Sequence, residues 1–199
     1  MFSYLKDFRQ YLTNETFMQD TLRKDTLGGR RMEFRKLVAE DASAYWELRL
    51  EALQNSPEAF GTSYEEAIQR DNPIERVKGN FKVKGNYTFG AFDQYKLIGM
   101  VTLSQESSLK MKHRASIFAM YVSPASRGKG IGKALMKKAI EQAKLSQEIE
   151  KINLSVVSSN EAAKNLYVQL GFRIFGTEEM ALKVGDTYYE EHHMSLILK

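Results

Sequence analysis

The sequence predicts an α/β fold in which helices cover both faces of a mixed, mostly antiparallel central sheet. Two observations predict this class. Strand-like and helix-like patterns alternate from Met32 to the C-terminus, and a glycine-rich loop joins an apolar strand to an amphipathic helix. The length of 199 residues suits one domain with a short appendage. The contents of 43% hydrophobic and 27% charged residues are typical of a globular chain.

The first 31 residues differ in pattern from the rest. Apolar side chains recur at helical spacing near the start, at Phe2, Leu5, Phe8 and Leu12, which predicts one amphipathic helix. A Gly-Gly-Arg-Arg sequence then precedes Met32. We therefore divide the chain into an N-terminal extension, 1–31, and a domain, 32–199. The extension is an added N-terminal arm, a non-native leader or the result of a start site assigned too early, or it is a helical arm with a role such as a dimer contact.

The first part of the domain is predicted to contain one strand and three helical segments. Breaks at Asn55-Ser56-Pro57 and Asp71-Asn72-Pro73 separate the helical segments, because proline and its preceding residue disfavour helix continuation. The predicted elements are a strand over 33–38, helices over 41–54 and 63–70, and a short helical piece over 74–78.

The second part is predicted to be richer in strands. A hairpin turns at Asp93-Gln94-Tyr95, and the next strand is apolar enough to be central. A helix follows, with a buried stripe formed by Ile131, Leu135, Ala139, Ile140 and Ala143. The predicted strands span 87–92, 97–104, 115–122, 152–157, 172–175 (the start of a strand) and 187–198, and the predicted helices span 130–146 and 160–170.

Composition excludes several kinds of chemistry. The chain has no cysteine, which excludes a disulfide scaffold, thiol catalysis and zinc sites with thiolate ligands. It has only three histidines, so we expect no metal. No apolar run is long enough to span a bilayer, and charges interrupt the N-terminal segment, so we expect a cytoplasmic protein without a membrane partner. The net charge of +4 suits an anionic small molecule.

The most informative segment is the glycine-rich loop between the central strand and the helix that starts at Gly130. Glycine lets a ligand approach the backbone, and the unpaired N–H groups of a first helical turn attract anions such as phosphate. Arg127, Lys129 and Lys133 add positive charge. The spacing does not match a Walker A loop, because Ala134 stands where that motif requires serine or threonine. It does not match the G-x-G-x-x-G dinucleotide fingerprint either, because Lys133 stands where the third glycine is required.

The spacing that does fit is Arg127-x-x-Gly130-x-Gly132, which resembles the pyrophosphate-binding motif of the GNAT superfamily of N-acetyltransferases. A second block supports the resemblance. Residues 160–172 match the superfamily's Asn-x-x-Ala-x-x-Leu-Tyr-x-x-x-Gly-Phe signature at every anchor position, and residues 189–196 resemble the last strand of many members. The resemblance covers about residues 33–199.

The resemblance implies acyl transfer from acetyl-CoA to a primary amine, with CoA as product. Backbone N–H groups would hold the pyrophosphate, and the strand before the loop would pair with the pantetheine arm. The N–H of Val122 would polarise the thioester carbonyl. The donor-binding residues that it implies are Met120, Tyr121, Val122, Arg127, Gly128, Lys129, Gly130, Ile131, Gly132, Lys133, Asn160 and Tyr167.

The resemblance also implies roles for two side chains of the second block. Tyr167 matches the position that commonly protonates the leaving thiolate, so we expect it to be catalytic; packing without proton transfer is the alternative. Asn160 matches a position that binds the cofactor arm, although asparagine also suits a helix N-cap. The general base stays open among Glu65, Glu66, Glu190 and His192.

The acceptor is expected to be the primary amine of a small molecule. Acidic and aromatic side chains in the regions that form the acceptor side suit a cation, and the candidates are Tyr64, Glu66, Glu190 and His192. A peptide or protein amine and a non-catalytic CoA-binding module are the alternatives. We expect no nucleic-acid partner, because no basic face with interleaved aromatic residues accompanies the loop. A homodimer is left open.

Overall fold

The computed structural model describes residues 24–27 and 30–199. Within them lies one eight-stranded sheet. The strands are β1 (Lys24–Leu27), β2 (Arg30–Lys36), β3 (Asn86–Asp93), β4 (Lys96–Gln105), β5 (Arg114–Val122), β6 (Lys151–Val157), β7 (Arg173–Val184) and β8 (Thr187–Ile197). The helices are α1 (Ala42–Asn55), α2 (Tyr64–Ile68), α3 (Pro73–Lys82), α4 (Ile131–Leu145) and α5 (Glu161–Gln169).

The strand order is β1-β2-β3-β4-β5-β6-β8-β7. Neighbouring strands are antiparallel except for β5 and β6, which run parallel and are connected through α4. Such a parallel pair needs a long crossover, and a helix commonly supplies it. The predicted mixed, mostly antiparallel sheet is therefore confirmed.

Helices cover both faces of the sheet, as predicted. On one face, the stripe predicted for α4 is buried in a large apolar cluster with β3–β6, Tyr167 of α5 and Phe172. On the other face, Leu48 and Ala52 of α1 pack with Tyr121 and other strand residues. Burial of these two apolar surfaces is the main force that holds the layers together.

Helix α3 is longer than the predicted segment 74–78. It continues through Gly79, although glycine destabilises a helix interior. Tertiary packing outweighs that cost. The ring of Phe81 meets the ring of Tyr45 on α1 edge to face, with a centroid distance of 5.3 Å, and Val77 is buried.

The predicted boundary of the N-terminal extension cuts through the sheet. Strand β1 and the first two residues of β2 lie within 1–31, and the two strands pair antiparallel from Lys24–Glu33 to Leu27–Arg30. The helix predicted from Phe2 to Leu12 lies outside the described residues.

Two further observations hold for the part of the chain that the structure describes. No helix there is both long and apolar enough to cross a membrane. No group of three or more histidine, aspartate or glutamate side chains there is arranged to hold a metal ion.

Candidate active site

A cleft opens where β5 and β6 separate. Their parallel pairing includes only three residue pairs, from Arg114–Lys151 to Ser116–Asn153. Beyond this point the strands diverge around a cavity of about 1520 Å³. The cavity walls come from both strands, the glycine-rich loop, α5, β8 and the α1 side of the sheet. Strand edges that do not pair leave N–H and C=O groups available to a ligand.

A β-bulge in β5 shapes one wall of the cleft. Tyr121 pairs with Met100 and Phe118 pairs with Thr102, so β5 has one extra residue between these pairs. Ala119, inside the bulge, adopts a left-handed conformation with φ of 51°. A bulge shifts the alternation of side chains by one position, and Tyr121 consequently faces α1. Its hydroxyl donates to Glu51 Oε1 at 3.1 Å.

The bulge leaves the backbone of Val122 facing the cleft. Ser123 N donates to Ile98 O at 2.9 Å, so these two residues form a hydrogen-bonded pair. Hydrogen-bonded and non-hydrogen-bonded pairs alternate along an antiparallel ladder. The next pair, Gly99–Val122, is therefore non-hydrogen-bonded, and the N–H and C=O groups of Val122 point away from β4. The N–H that the resemblance assigns to the donor thioester therefore points away from β4.

The glycine-rich loop presents a row of free amides at the mouth of the cleft. Within the described part of the chain, none of the six N–H groups from Gly128 to Lys133 donates a hydrogen bond. Gly128 and Gly130 have φ values of 75° and 79°, which L-residues with a side chain rarely adopt. These amides precede or open α4, whose N-terminus carries partial positive charge. The loop is therefore suited to bind a pyrophosphate through its main chain.

Gly132 lies in a tightly packed position. A Cβ atom at this position would lie 3.1 Å from Met120 Cε and 3.4 Å from Leu166 Cδ2. The absence of a side chain lets the first turn of α4 approach both β5 and α5. The three glycines of the loop thus serve two different purposes, backbone conformation and close approach.

Two of the predicted cations hold the loop in place. Arg127 Nε donates to Val122 O at 2.9 Å, and its guanidinium lies 5.5 Å from the centroid of the Tyr121 ring. Lys129 Nζ donates to Ala125 O at 3.0 Å, and Lys129 does not line the cleft. Lys133 does line it. All other predicted donor-binding residues lie on the cleft wall.

Tyr167 is buried, with 6% of its surface exposed, yet it reaches the cleft wall. Its ring packs against Phe172 at a centroid distance of 6.0 Å. The hydroxyl has no hydrogen-bond partner among residues 24–27 and 30–199. Burial raises the pKa of Tyr167 to about 12, so the hydroxyl keeps its proton at neutral pH.

Asn160 caps α5 and also lines the cleft. Its Oδ1 accepts a hydrogen bond from Ala163 N at 3.1 Å, which satisfies one of the free amides of the first turn. The side-chain NH₂ group donates no hydrogen bond to any described residue. The N-cap geometry therefore leaves a donor group available to a ligand.

The four side chains predicted for the acceptor, Tyr64, Glu66, Glu190 and His192, do not line the cleft. Ser63 Oγ and the Glu66 carboxylate form a capping box at the start of α2, with contacts of 3.1 and 2.8 Å to main-chain N–H groups. On β8, the alternation that includes His192 continues to Met194, which is buried in the core under α4.

The opposite alternation of β8 faces the cleft, with Glu191 and His193 on its wall. His193 Nδ1 lies 2.9 Å from Ser155 Oγ, and its Nε2 lies 3.0 Å from Glu178 Oε2. Burial raises the pKa of Glu191, and the charge of Glu178 raises it further, whereas His193 lowers it. Period-two counting separates the two faces of β8 but does not tell which one meets the cleft, so sequence reasoning missed both residues.

The comparisons with known proteins agree with this geometry. The model of the acetyltransferase (GNAT) family matches residues 44–172. This region includes α1 on one side of the cleft and both motif blocks on the other. The chain therefore belongs to the GNAT acetyltransferase family.

Two curated relatives are N-acetyltransferases. The spermidine N(1)-acetyltransferase of Vibrio cholerae is 32% identical over 79 residues, which are 40% of this chain and 44% of that protein. The L-amino acid N-acetyltransferase AaaT of Escherichia coli is 28% identical over 102 residues, 51% of this chain and 62% of that protein. The chain thus matches less than two thirds of either relative.

Solved structures share the fold. A GNAT-family acetyltransferase from Streptococcus pneumoniae has a TM-score of 0.76 and 19% identity, covering 84% of this chain and 99% of that one. The yncA protein of Salmonella typhimurium, described as a putative acetyltransferase with its cofactor acetyl-CoA, has a TM-score of 0.71 and 18% identity, with coverage of 84% and 94%.

Proposed function

We propose that this protein transfers the acetyl group of acetyl-CoA to the primary amine of a small molecule, with both substrates bound together. The observation that carries the proposal is the row of six unpartnered amides from Gly128 to Lys133 at the mouth of the cleft. The acetyl-CoA of the Salmonella neighbour and the small amines named for the two curated relatives support the same assignment.

The donor would be held mainly by backbone. The amides of the glycine-rich loop fit a pyrophosphate, and the NH₂ group of Asn160 is free to donate to the arm that follows it. The N–H of Val122 is suited to stabilise negative charge that develops on the carbonyl oxygen during acyl transfer. Bound acetyl-CoA supplies the activated acetyl group.

Two side chains on the cleft wall are assigned to proton transfer. Tyr167 carries a proton at neutral pH, because burial holds its pKa near 12, and it can give this proton to the leaving sulfur. Glu191 is a carboxylate in the same cleft and is assigned to accept the proton that the acceptor ammonium must lose. This assignment replaces the four earlier candidates, none of which lines the cleft: Glu65, Glu66, Glu190 and His192.

The proposal is tested by titrating the protein with acetyl-CoA and then following thiol release over a panel of amines. We expect saturable donor binding and turnover of at least one amine. The variant Gly130→Glu should weaken donor binding at least about tenfold, because a side chain strains a left-handed position and a carboxylate repels the pyrophosphate.

Gly185→Glu is the matched control. Gly185 also has a positive φ, 58°, but lies between β7 and β8 and does not line the cleft. This variant should bear a similar backbone strain and the same added charge while binding acetyl-CoA as the wild type does. Equal donor binding by Gly130→Glu and the wild type would contradict the proposed role of the loop. Donor binding without turnover of any amine would favour a non-catalytic CoA-binding module.

A further inference from the structure

Two arginines stand together on the α1 side of the cleft, and the chemistry described so far uses neither. Arg49 projects from α1, and Arg70 follows α2. We call this part of the cleft the α1 wall; it consists of Trp46, Arg49, Phe60, Thr62 and Arg70. The guanidinium carbon of Arg49 lies 4.3 Å from the centroid of the Phe60 ring. Stacking of this kind fixes the plane of a guanidinium.

The positive charge of this pair is not balanced by a neighbouring carboxylate. Within the described residues, neither arginine forms an ion pair. Arg49 Nη1 is buried and has no hydrogen-bond partner there, and Arg70 Nη2 reaches only Thr62 Oγ1, at 3.4 Å. Burial lowers the pKa of Arg49, Tyr45 raises it, and the charge of Arg70 lowers it. A buried guanidinium without a counter-charge is costly unless an anion binds to it.

We propose that Arg49 and Arg70 bind a carboxylate of the acceptor, so that the substrate is a small amino-carboxylate such as a free amino acid. The inference rests on the proposed function, because it concerns the second end of the molecule whose amine is acetylated. A planar guanidinium matches a carboxylate with two parallel hydrogen bonds. Arg49 lines the cleft, and its buried Nη1 has no hydrogen-bond partner among the described residues, so its guanidinium has unused donor capacity.

The distribution of charge over the cleft supports a substrate with two opposite charges. Glu191 on β8 offers a negative group to an ammonium, whereas the α1 wall offers two positive groups. Glu58 also lines the cleft, but among the described residues it forms no ion pair with either arginine. A polyamine carries only positive charges and would meet Arg49 and Arg70 with repulsion. An amino-carboxylate would find a partner for each of its charges. Trp46 and Phe60 add apolar surface for its side chain.

The experiment compares acceptors that differ only in the carboxylate. The common amino acids are each paired with their carboxamides, and spermidine represents the polyamines. The full chain is assayed by thiol release at saturating acetyl-CoA. We expect at least one amino acid to exceed its carboxamide about 100-fold in kcat/KM, because a site built for a charged hydrogen-bonding group rejects the analogue that lacks it.

Variants then assign the effect to the arginines. Arg49→Met keeps an apolar side chain of similar length beside Phe60 but removes the charge. We expect it to lower kcat/KM for the preferred amino acid about 10- to 100-fold, mainly through KM, and to lower the value for the carboxamide less, so that the ratio between the two substrates falls. Arg70→Met should reduce the same discrimination. Arg76→Met, at an exposed arginine of α3 that does not line the cleft, is the control and should change neither value.

The outcomes separate this inference from the proposed function. If carboxamides or spermidine are acetylated as efficiently as any amino acid, the inference is overturned while amine acetylation stands. If no amine is acetylated, the proposed function itself fails. Should Arg49→Met not fold, as judged by circular dichroism, Arg70→Met decides. Unchanged discrimination in both folded variants, Arg49→Met and Arg70→Met, would also overturn the inference.

Discussion

The hydroxyl group of Tyr167 combines a raised pKa with the absence of a hydrogen-bond partner among the described residues. Its ring is buried against Phe172, which raises the pKa of the hydroxyl to about 12, while the residue still reaches the cleft wall. A neutral phenol without a hydrogen-bond partner among the described residues can donate to a ligand without first losing a protein contact. This combination suits a proton donor better than a packing residue alone.

The variant Tyr167→Phe should lower kcat about 10- to 100-fold, with little change in acetyl-CoA affinity. The reduction lies at the lower end of the range for general acids, because a thiolate leaves readily without full protonation. Tyr87→Phe is the control, since Tyr87 packs against the same core cluster but does not line the cleft. Unchanged kcat in Tyr167→Phe would remove Tyr167 from the catalytic role.

Glu191 gives a prediction about pH. Burial raises its pKa, so the carboxylate becomes protonated, and unable to accept a proton, at a higher pH than an ordinary glutamate. In the wild type, kcat/KM should fall as pH decreases through this raised pKa. Glu191→Gln should lower kcat/KM at neutral pH about 10- to 100-fold and abolish this acidic decline.

Glu190→Gln is the matched control for that experiment. The two residues are adjacent on β8, but only Glu191 lines the cleft. Glu190→Gln should therefore keep the wild-type pH profile. If the two variants exchanged these behaviours, the assignment of the cleft-facing side of β8 would be wrong.

At the scale of elements, the bulge in β5 positions the Val122 backbone that we assign to the proposed donor site. One extra residue turns Tyr121 towards α1 and leaves the Val122 backbone facing away from β4. A left-handed conformation at a non-glycine residue costs about 1–2 kcal/mol, and more when the side chain is branched. The strain at Ala119 is compensated by regular pairing on both sides of the bulge.

A series at Ala119 tests this account. Ala119→Val should reduce the free energy of unfolding by about 1–3 kcal/mol, because a β-branched side chain at positive φ is strongly strained. Ala119→Gly relieves the strain but increases the freedom of the unfolded chain, so its stability should stay within about 1 kcal/mol of the wild type. Urea unfolding measures both. Equal stability of all three proteins would show that the conformation carries no strain.

The sequence predicted most helices and strands close to their observed positions, but it did not predict the bulge in β5. The apolar stripe of α4 and the proline breaks are local signals, and each corresponds to an observed helix or boundary. An alanine in a left-handed conformation carries no such signal, because the pairing of β4 with β5 imposes it. The same limit applies to β8, where the alternation was visible but its orientation depended on which strand lay beside it.

At the scale of the whole molecule, donor and acceptor sites are predictable to different degrees. The proposed donor site consists of backbone groups in a loop with characteristic glycine spacing, so a sequence motif can indicate it. The α1 wall is assembled from Arg49, Phe60 and Arg70, which are distant in sequence from that motif and meet only in the folded chain. No spacing rule connects them, and the sequence therefore indicated a cationic acceptor where the structure shows an arginine pair.

The short parallel junction between β5 and β6 has a consequence for evolution. Only three residue pairs join the half of the sheet that ends in β5 to the half that begins with β6. The angle between the two halves can therefore change slightly while few main-chain hydrogen bonds are broken. The proposed contacts to the donor come from peptide groups, which most amino-acid replacements do not remove, whereas the opposite wall consists of replaceable side chains. If the proposed donor site is correct, a scaffold of this design can acquire new acceptors by point substitution in that wall while donor binding is retained.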